Sequence, residues 1–97
     1  MNIIRRLLQI IVDENQYIKE NTRKYALLSE HEKMIIHYTV NDHEEEFVCR
    51  LLSLSAGELR DRKIIIYKKL QIINKSELRK FSIAFNLKDL KVDQSKY

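Results

Sequence analysis

Three histidines, His31, His37 and His43, recur every six residues. That spacing scatters imidazoles around a helix, whereas a metal site needs offsets of three or four, so no metal is expected. Cys49 is the single thiol, best suited to an inert place in a core. The chain has no Ser/His/Asp set, no Gly-rich phosphate loop and no Cys-x-x-Cys pair, so neither catalysis nor a cofactor is expected. What the residues can do is recognise charge. Arg60, Arg62, Lys63, Lys68 and Lys69 fall within one ten-residue stretch, opposed by Glu58 and Asp61.

The elements that must carry these side chains are helices. The 97 residues include no proline and one glycine, Gly57. Such a chain supplies few of the tight turns that hairpins and sandwiches require, which makes it all-α. At 44% hydrophobic and 33% charged it supports one modest core and is neither a disordered tail nor a membrane protein. Met1–Val12 begins like a secretion signal, but Gln9 interrupts it and Asp13-Glu14 follow at once. With one cysteine as well, a cytoplasmic, reducing setting is expected. Charge is uneven along the chain. Residues 1–28 carry five basic and three acidic side chains, 29–54 two and six, and 55–97 eleven and five. A basic segment of that size suits a polyanion such as nucleic acid, or simply a solvated helix face.

Three capping boxes mark helix starts: Ser29 with Glu32, Ser55 with Glu58 and Asn74 with Glu77; Asp42 with Glu45 is a weaker fourth. They predict helices over about 2–28, broken near Asn21-Thr22, then 30–40, 43–52, 56–70 and 75–86, with a polar tail beyond. Met34, Ile35 and Tyr38 share one side of the second helix, and Val48, Cys49 and Leu52 are the buried set of the third. Only Ser53-Leu54-Ser55 separates the third and fourth helices, short enough to fix an angular pair. On the fourth, Leu59, Ile66 and Leu70 share one face, and Arg60, Lys63 and Tyr67 another.

These fragments, in order and in register, resemble the LuxR/GerE-type helix-turn-helix domain of bacterial transcription regulators over 59 residues, Leu28 to Asn86. The family's opening Leu-Ser, Glu and aliphatic pair correspond to Leu28-Ser29, Glu32 and Ile35-Ile36. Its Ile-Ala pair and Leu-x-Ile-Ser turn correspond to Val48-Cys49 and Leu52-Ser53-Leu54-Ser55. Its recognition helix, ending Ile-Tyr-x-Lys-Leu-Gly-Val, corresponds to Glu58-Leu59-Arg60, Arg62 and Ile66-Tyr67-Lys68-Lys69-Leu70-Gln71-Ile72. Its Asn-Arg-x-Glu-Leu start corresponds to Asn74-Lys75-Ser76-Glu77-Leu78. The resemblance implies a four-helix domain over 29–86 that reads double-stranded DNA as a homodimer, with an amphipathic extension over 1–28 and a tail over 87–97. Family members carry a receiver or ligand-binding domain ahead of this module, so phosphorylation or autoinducer control is expected to lie outside this chain.

On that reading Arg60 reads a base edge, where an arginine discriminates by roughly 1–3 kcal/mol, with Asp61 and Ile64 as further base contacts. Arg62, Lys63, Lys68 and Lys69 are the phosphate contacts. Glu44, Glu45 and Glu46 replace the small and basic residues that many members carry at the mouth of their second helix. The alternative is therefore a protein-interaction module on the same fold, contacting a regulator, a sensor or RNA polymerase through Phe47, Ile64 and Ile65. An acidic cluster pointing away from Arg60 and Lys63 favours DNA; one flanking them favours the protein. Phe47 either makes such a contact or packs on the extension. In the extension Ile4, Ile11, Ile18 and Tyr25 recur every seven residues, flanked by Leu7 and Leu28 and by Ile3, Ile10 and Tyr17. This stripe lies against its own domain or pairs with a second copy.

Overall fold

The computed structural model describes residues 3–88, and side chains from Asp13 onward. The described residues form five α-helices and no strand: α1 (Ile3–Ala26), α2 (Glu30–Val40), α3 (Glu45–Leu52), α4 (Ala56–Leu70) and α5 (Lys75–Ala84). Of the tail read over 87–97, Leu87 is instead buried in the core, and the residues from Asp89 on lie outside the described residues.

Two of the capping boxes close fully. Ser29 and Ser55 accept from the backbone N–H of Glu32 and Glu58, whose carboxylates accept in return from the backbone N–H of Ser29 and Ser55. The limits of α2 and α4 fall where those boxes put them. The third box is half of one. Asn74 accepts from the Glu77 N–H, but the Glu77 carboxylate reaches one residue further back, to the Ile73 N–H at 2.9 Å.

The other helices differ from the sequence reading, and α1 also ends at Ala26, two residues before the expected 28. Helix α1 runs unbroken through Asn21 and Thr22, because both side chains donate back along the helix, to the Tyr17 and Ile18 carbonyls at 2.7 and 2.6 Å. That uses their hydrogen-bonding capacity without ending the helix. Helix α3 starts at Glu45 instead of His43, and Asp42 does not cap it. Asp42 sits in the left-handed region (φ 60°) and its carboxylate turns to Lys75 and, at 3.9 Å, to Arg79 on α5. Lys75 holds the Asp42 carboxyl below its ordinary value. Helix α5 ends at Ala84, two residues early, where Asn86 turns left-handed (φ 60°).

One core joins α2–α5. Ile35, Ile36, Tyr38 and Val40 of α2 meet Leu78 and Phe81 of α5 together with Leu87, while Val48 and Leu52 of α3 and Leu59, Ile66 and Leu70 of α4 close the other side. Met34 and Cys49 are half-buried at its margin. Helix α1 packs on α4 and α5. The Tyr25 ring stacks on Phe85 at 4.9 Å, and Lys80 lies over the Tyr17 ring. Burial and the Glu77 carboxylate hold the Tyr17 phenol above its ordinary value. The described half of α1 therefore lies against its own domain, and among the described residues no helix is long and apolar enough to cross a membrane.

Candidate nucleic-acid interface

Helix α4 is held by one row of side chains and presents another. Leu59, Ile66 and Leu70, at offsets of seven and four, are each almost fully buried. Its first turn is closed by the Ser55 box, and its last by Gln71 in the left-handed region (φ 55°), whose N–H returns to the Lys68 carbonyl. Three residues, Ser53 to Ser55, join it to α3, with Ser53 also left-handed (φ 56°).

The outer surface carries Arg60, Asp61, Ile64, Ile65 and Lys68, all exposed; Ile64 and Ile65 each keep 48% of their surface in solvent. Arg60, Ile64 and Lys68 follow at intervals of four, so they form a single row along the helix. Among the described ion pairs none includes Arg60, Asp61, Arg62 or Lys68. A shallow groove of about 570 Å³ runs beside this row, floored by Ile64, Tyr67 and Ile72 and edged by Arg60, Lys63 and Lys68. Ile73, 84% exposed, stands at its end.

Two of the expected phosphate contacts have partners within the chain. Lys69 turns inward: its Nζ donates to Glu32 Oε1 at 2.7 Å and to the Leu27 carbonyl at 3.3 Å, tying α4 to the junction of α1 and α2. Burial pushes the Glu32 carboxyl up. The hydrogen bonds from Lys69 and from the Ser29 N–H, with the charge of Lys69, outweigh it and leave the group below its ordinary value. Lys63 lies 3.4 Å from Glu45. Glu45 and Glu46 also border, with Ala56, a depression between α3 and the first turn of α4. The acidic cluster thus flanks the basic helix at Lys63. Across α3 and α4, five basic side chains (Arg50, Arg60, Arg62, Lys63, Lys68) stand among five acidic ones (Glu44, Glu45, Glu46, Glu58, Asp61). The surplus of the basic 55–97 segment is not concentrated on this face.

Phe47, read from the sequence as either a partner contact or a residue packed on the extension, is half-buried and its described ring partners are His43 and Tyr38. Its ring stacks on His43 (centroids 5.3 Å) and meets Tyr38 edge-on (5.9 Å). Sequence reasoning missed the pairing of Lys69 with Glu32, whose partners lie 37 residues apart. The sequence offered no separate signal, since Glu32, between His31 and Lys33, was already assigned to a capping box. It also missed Ile73, at the end of the groove. His31, His37 and His43 do not converge: His37 Nδ1 lies 2.9 Å from the Leu87 carbonyl and His43 packs on Phe47. Among the described residues no group of three or more His, Cys, Asp or Glu is placed to hold a metal ion. No protein family, curated protein or solved structure matches the chain.

Proposed function

We propose that the chain is a sequence-specific, DNA-binding transcriptional regulator of the LuxR/GerE kind, acting as a dimer. Each copy lays α4 in a major groove, with half-sites about one helical turn apart. The observation that carries this reading is the exposed, unpaired row Arg60–Ile64–Lys68 on a helix held from behind by Leu59, Ile66 and Leu70. The ordered likeness of residues 28–86 to that family supports it. Arg60 reads a guanine edge, Ile64 touches a thymine methyl and Asp61 accepts from a cytosine amino group. Arg62, Lys63 and Lys68 hold phosphates, Lys63 by leaving Glu45 for the DNA; Lys69, engaged with Glu32, takes no part. Counting about six phosphates in a dimer, the logarithm of affinity falls with the logarithm of salt at a slope of about −5.

The position of the acidic cluster favours a different reading: it flanks α4 at Lys63, which suits a protein partner, although no described ion pair joins it to Arg60. Glu45 beside Lys63, with Ile64, Ile65 and Ile73 exposed, suits a protein partner bound over the same groove. Selection from a random duplex library at two salt concentrations separates the two, with Arg60→Ala run in parallel. The DNA reading requires an enriched two-fold sequence, steep salt dependence and loss of preference in Arg60→Ala. A folded protein that retains no duplex at low salt leaves the protein-partner reading in its place.

A further inference from the structure

The outer face of α4 holds more than the row Arg60–Ile64–Lys68. Asp61, Ile64, Ile65 and Lys68 stand at i, i+3, i+4 and i+7, one face of a helix, and all four are exposed. Base reading gives a role to Ile64, but it leaves uncovered both Ile65, 48% exposed, and Ile73, 84% exposed just beyond the helix end. Turned end for end about a centre between Ile64 and Ile65, this face complements itself. Ile64 comes level with Ile65 of the other copy, and Asp61 with Lys68, on both sides of the centre. The helix end that leads to Ile73 comes level with Ala56 and Gly57, both small and exposed. Gly57 presents no side chain, and the nearest atom to a methyl placed there is Ser55 Oγ at 4.0 Å, so bulk from a second helix can approach it. None of the described ion pairs occupies Asp61 or Lys68.

We propose that a second copy of this chain covers the outer face of α4, the two helices pairing antiparallel about a two-fold axis between Ile64 and Ile65. Such a contact is isologous, so Ile64 of each copy meets Ile65 of the other and the Asp61–Lys68 pair forms twice. A parallel pair instead sets Asp61 against Asp61 and Lys68 against Lys68, and like charges at one level oppose association. The three exposed isoleucines offer roughly 350 Å² per copy, and with Asp61, Lys68 and their neighbours the pair buries on the order of 1,000 Å² in total, the size of a dissociable interface. This pair is not the dimer that spans two half-sites, because α4 cannot lie against a second copy and in a DNA groove at once. On the DNA reading, and resting on it, the pair is the form in which the reading helix is covered, so self-association and duplex compete for the same residues. The pairing itself does not need that reading and its test contains no DNA, so either can fail without the other.

The test is sedimentation equilibrium of the chain over a concentration series, with circular dichroism confirming helix content. Wild type is expected to self-associate with a dissociation constant on the order of 10 μM. Asp61→Lys sets lysines level at both ends of the pair, and Lys68→Glu sets carboxylates there; each alone raises that constant about tenfold or more. All the substituted side chains are exposed, so both variants are expected to keep the helix content of wild type. Mixed one to one, the two variants present opposite charges at both ends of an antiparallel pair and associate with wild-type strength. A wild type that stays monomeric overturns the proposal, as do variants that associate as wild type does. A helical mixture that fails to regain wild-type association also overturns it.

Discussion

Replacing Glu32 tests whether Lys69 belongs to the fold or to the DNA-facing charge. Glu32 is nearly buried and accepts at one oxygen from Lys69 at 2.7 Å and from the Ser29 N–H at 2.9 Å. In Glu32→Gln the amide oxygen still accepts from Ser29, so the cap survives and the charge-assisted bond does not. Bonds to charged groups contribute about 1.5–3 kcal/mol, and a lysine one-third exposed recovers part of that from water. The expected loss at pH 7 is about 1–2 kcal/mol, read as a shift in urea midpoint at unchanged slope. The pH dependence fixes the cause. A carboxyl lowered in the folded state adds stability above its unfolded value of about 4.3, and that stability is lost as pH falls through the folded value. Wild type and Glu32→Gln therefore converge as pH falls through the folded value. A gap below about 0.3 kcal/mol at pH 7, or one that does not shrink on acidification, would refute the ion-pair reasoning. Lys69→Met is expected to destabilise equally and to leave the salt slope of duplex binding unchanged. A slope shallower by about one would return Lys69 to the phosphate contacts.

Glu45→Gln releases Lys63 and removes a carboxylate from the face of α4, so duplex affinity should rise about two- to fivefold and the salt slope steepen; weaker binding would show Glu45 working for the complex. Gln71→Gly relieves a left-handed helix end and should stabilise by about 1 kcal/mol, with a lower urea midpoint as the contrary result. Gly57 lies in the first turn of α4 with nothing nearer than Ser55 Oγ at 4.0 Å to an added methyl. Gly57→Ala should therefore raise thermal stability by about 0.5 kcal/mol; a fall would mean that the backbone there needs glycine.

The elements that the sequence made legible are those whose signals are local. Ser29 with Glu32 and Ser55 with Glu58 fix α2 and α4 because cap and partner lie within one turn. The spacing of Leu59, Ile66 and Leu70 fixes which side of α4 is buried for the same reason. Asp42 and Glu45 had the same spacing and misled, because Asp42 is drawn to Lys75 and Arg79, more than thirty residues on. Lys63 and Lys69 look alike in a row of basic residues, and only the packing of α3 and α2 against α4 brings Glu45 and Glu32 to them. Phe47 reads as a surface aromatic beside three glutamates until the turn through Asp42 brings His43 and Tyr38 against its ring.

The division of α4 into an inner row of three aliphatic residues and an outer row with no ion pair among the described residues bears on how such a protein evolves. Mutational cost falls on Leu59, Ile66 and Leu70, where each truncation to alanine removes about 2–5 kcal/mol. Positions 60, 61, 64 and 68 are nearly exempt from folding constraint, so their identities can drift under selection for a partner alone. A new target can be acquired one outer residue at a time, with every intermediate still folded.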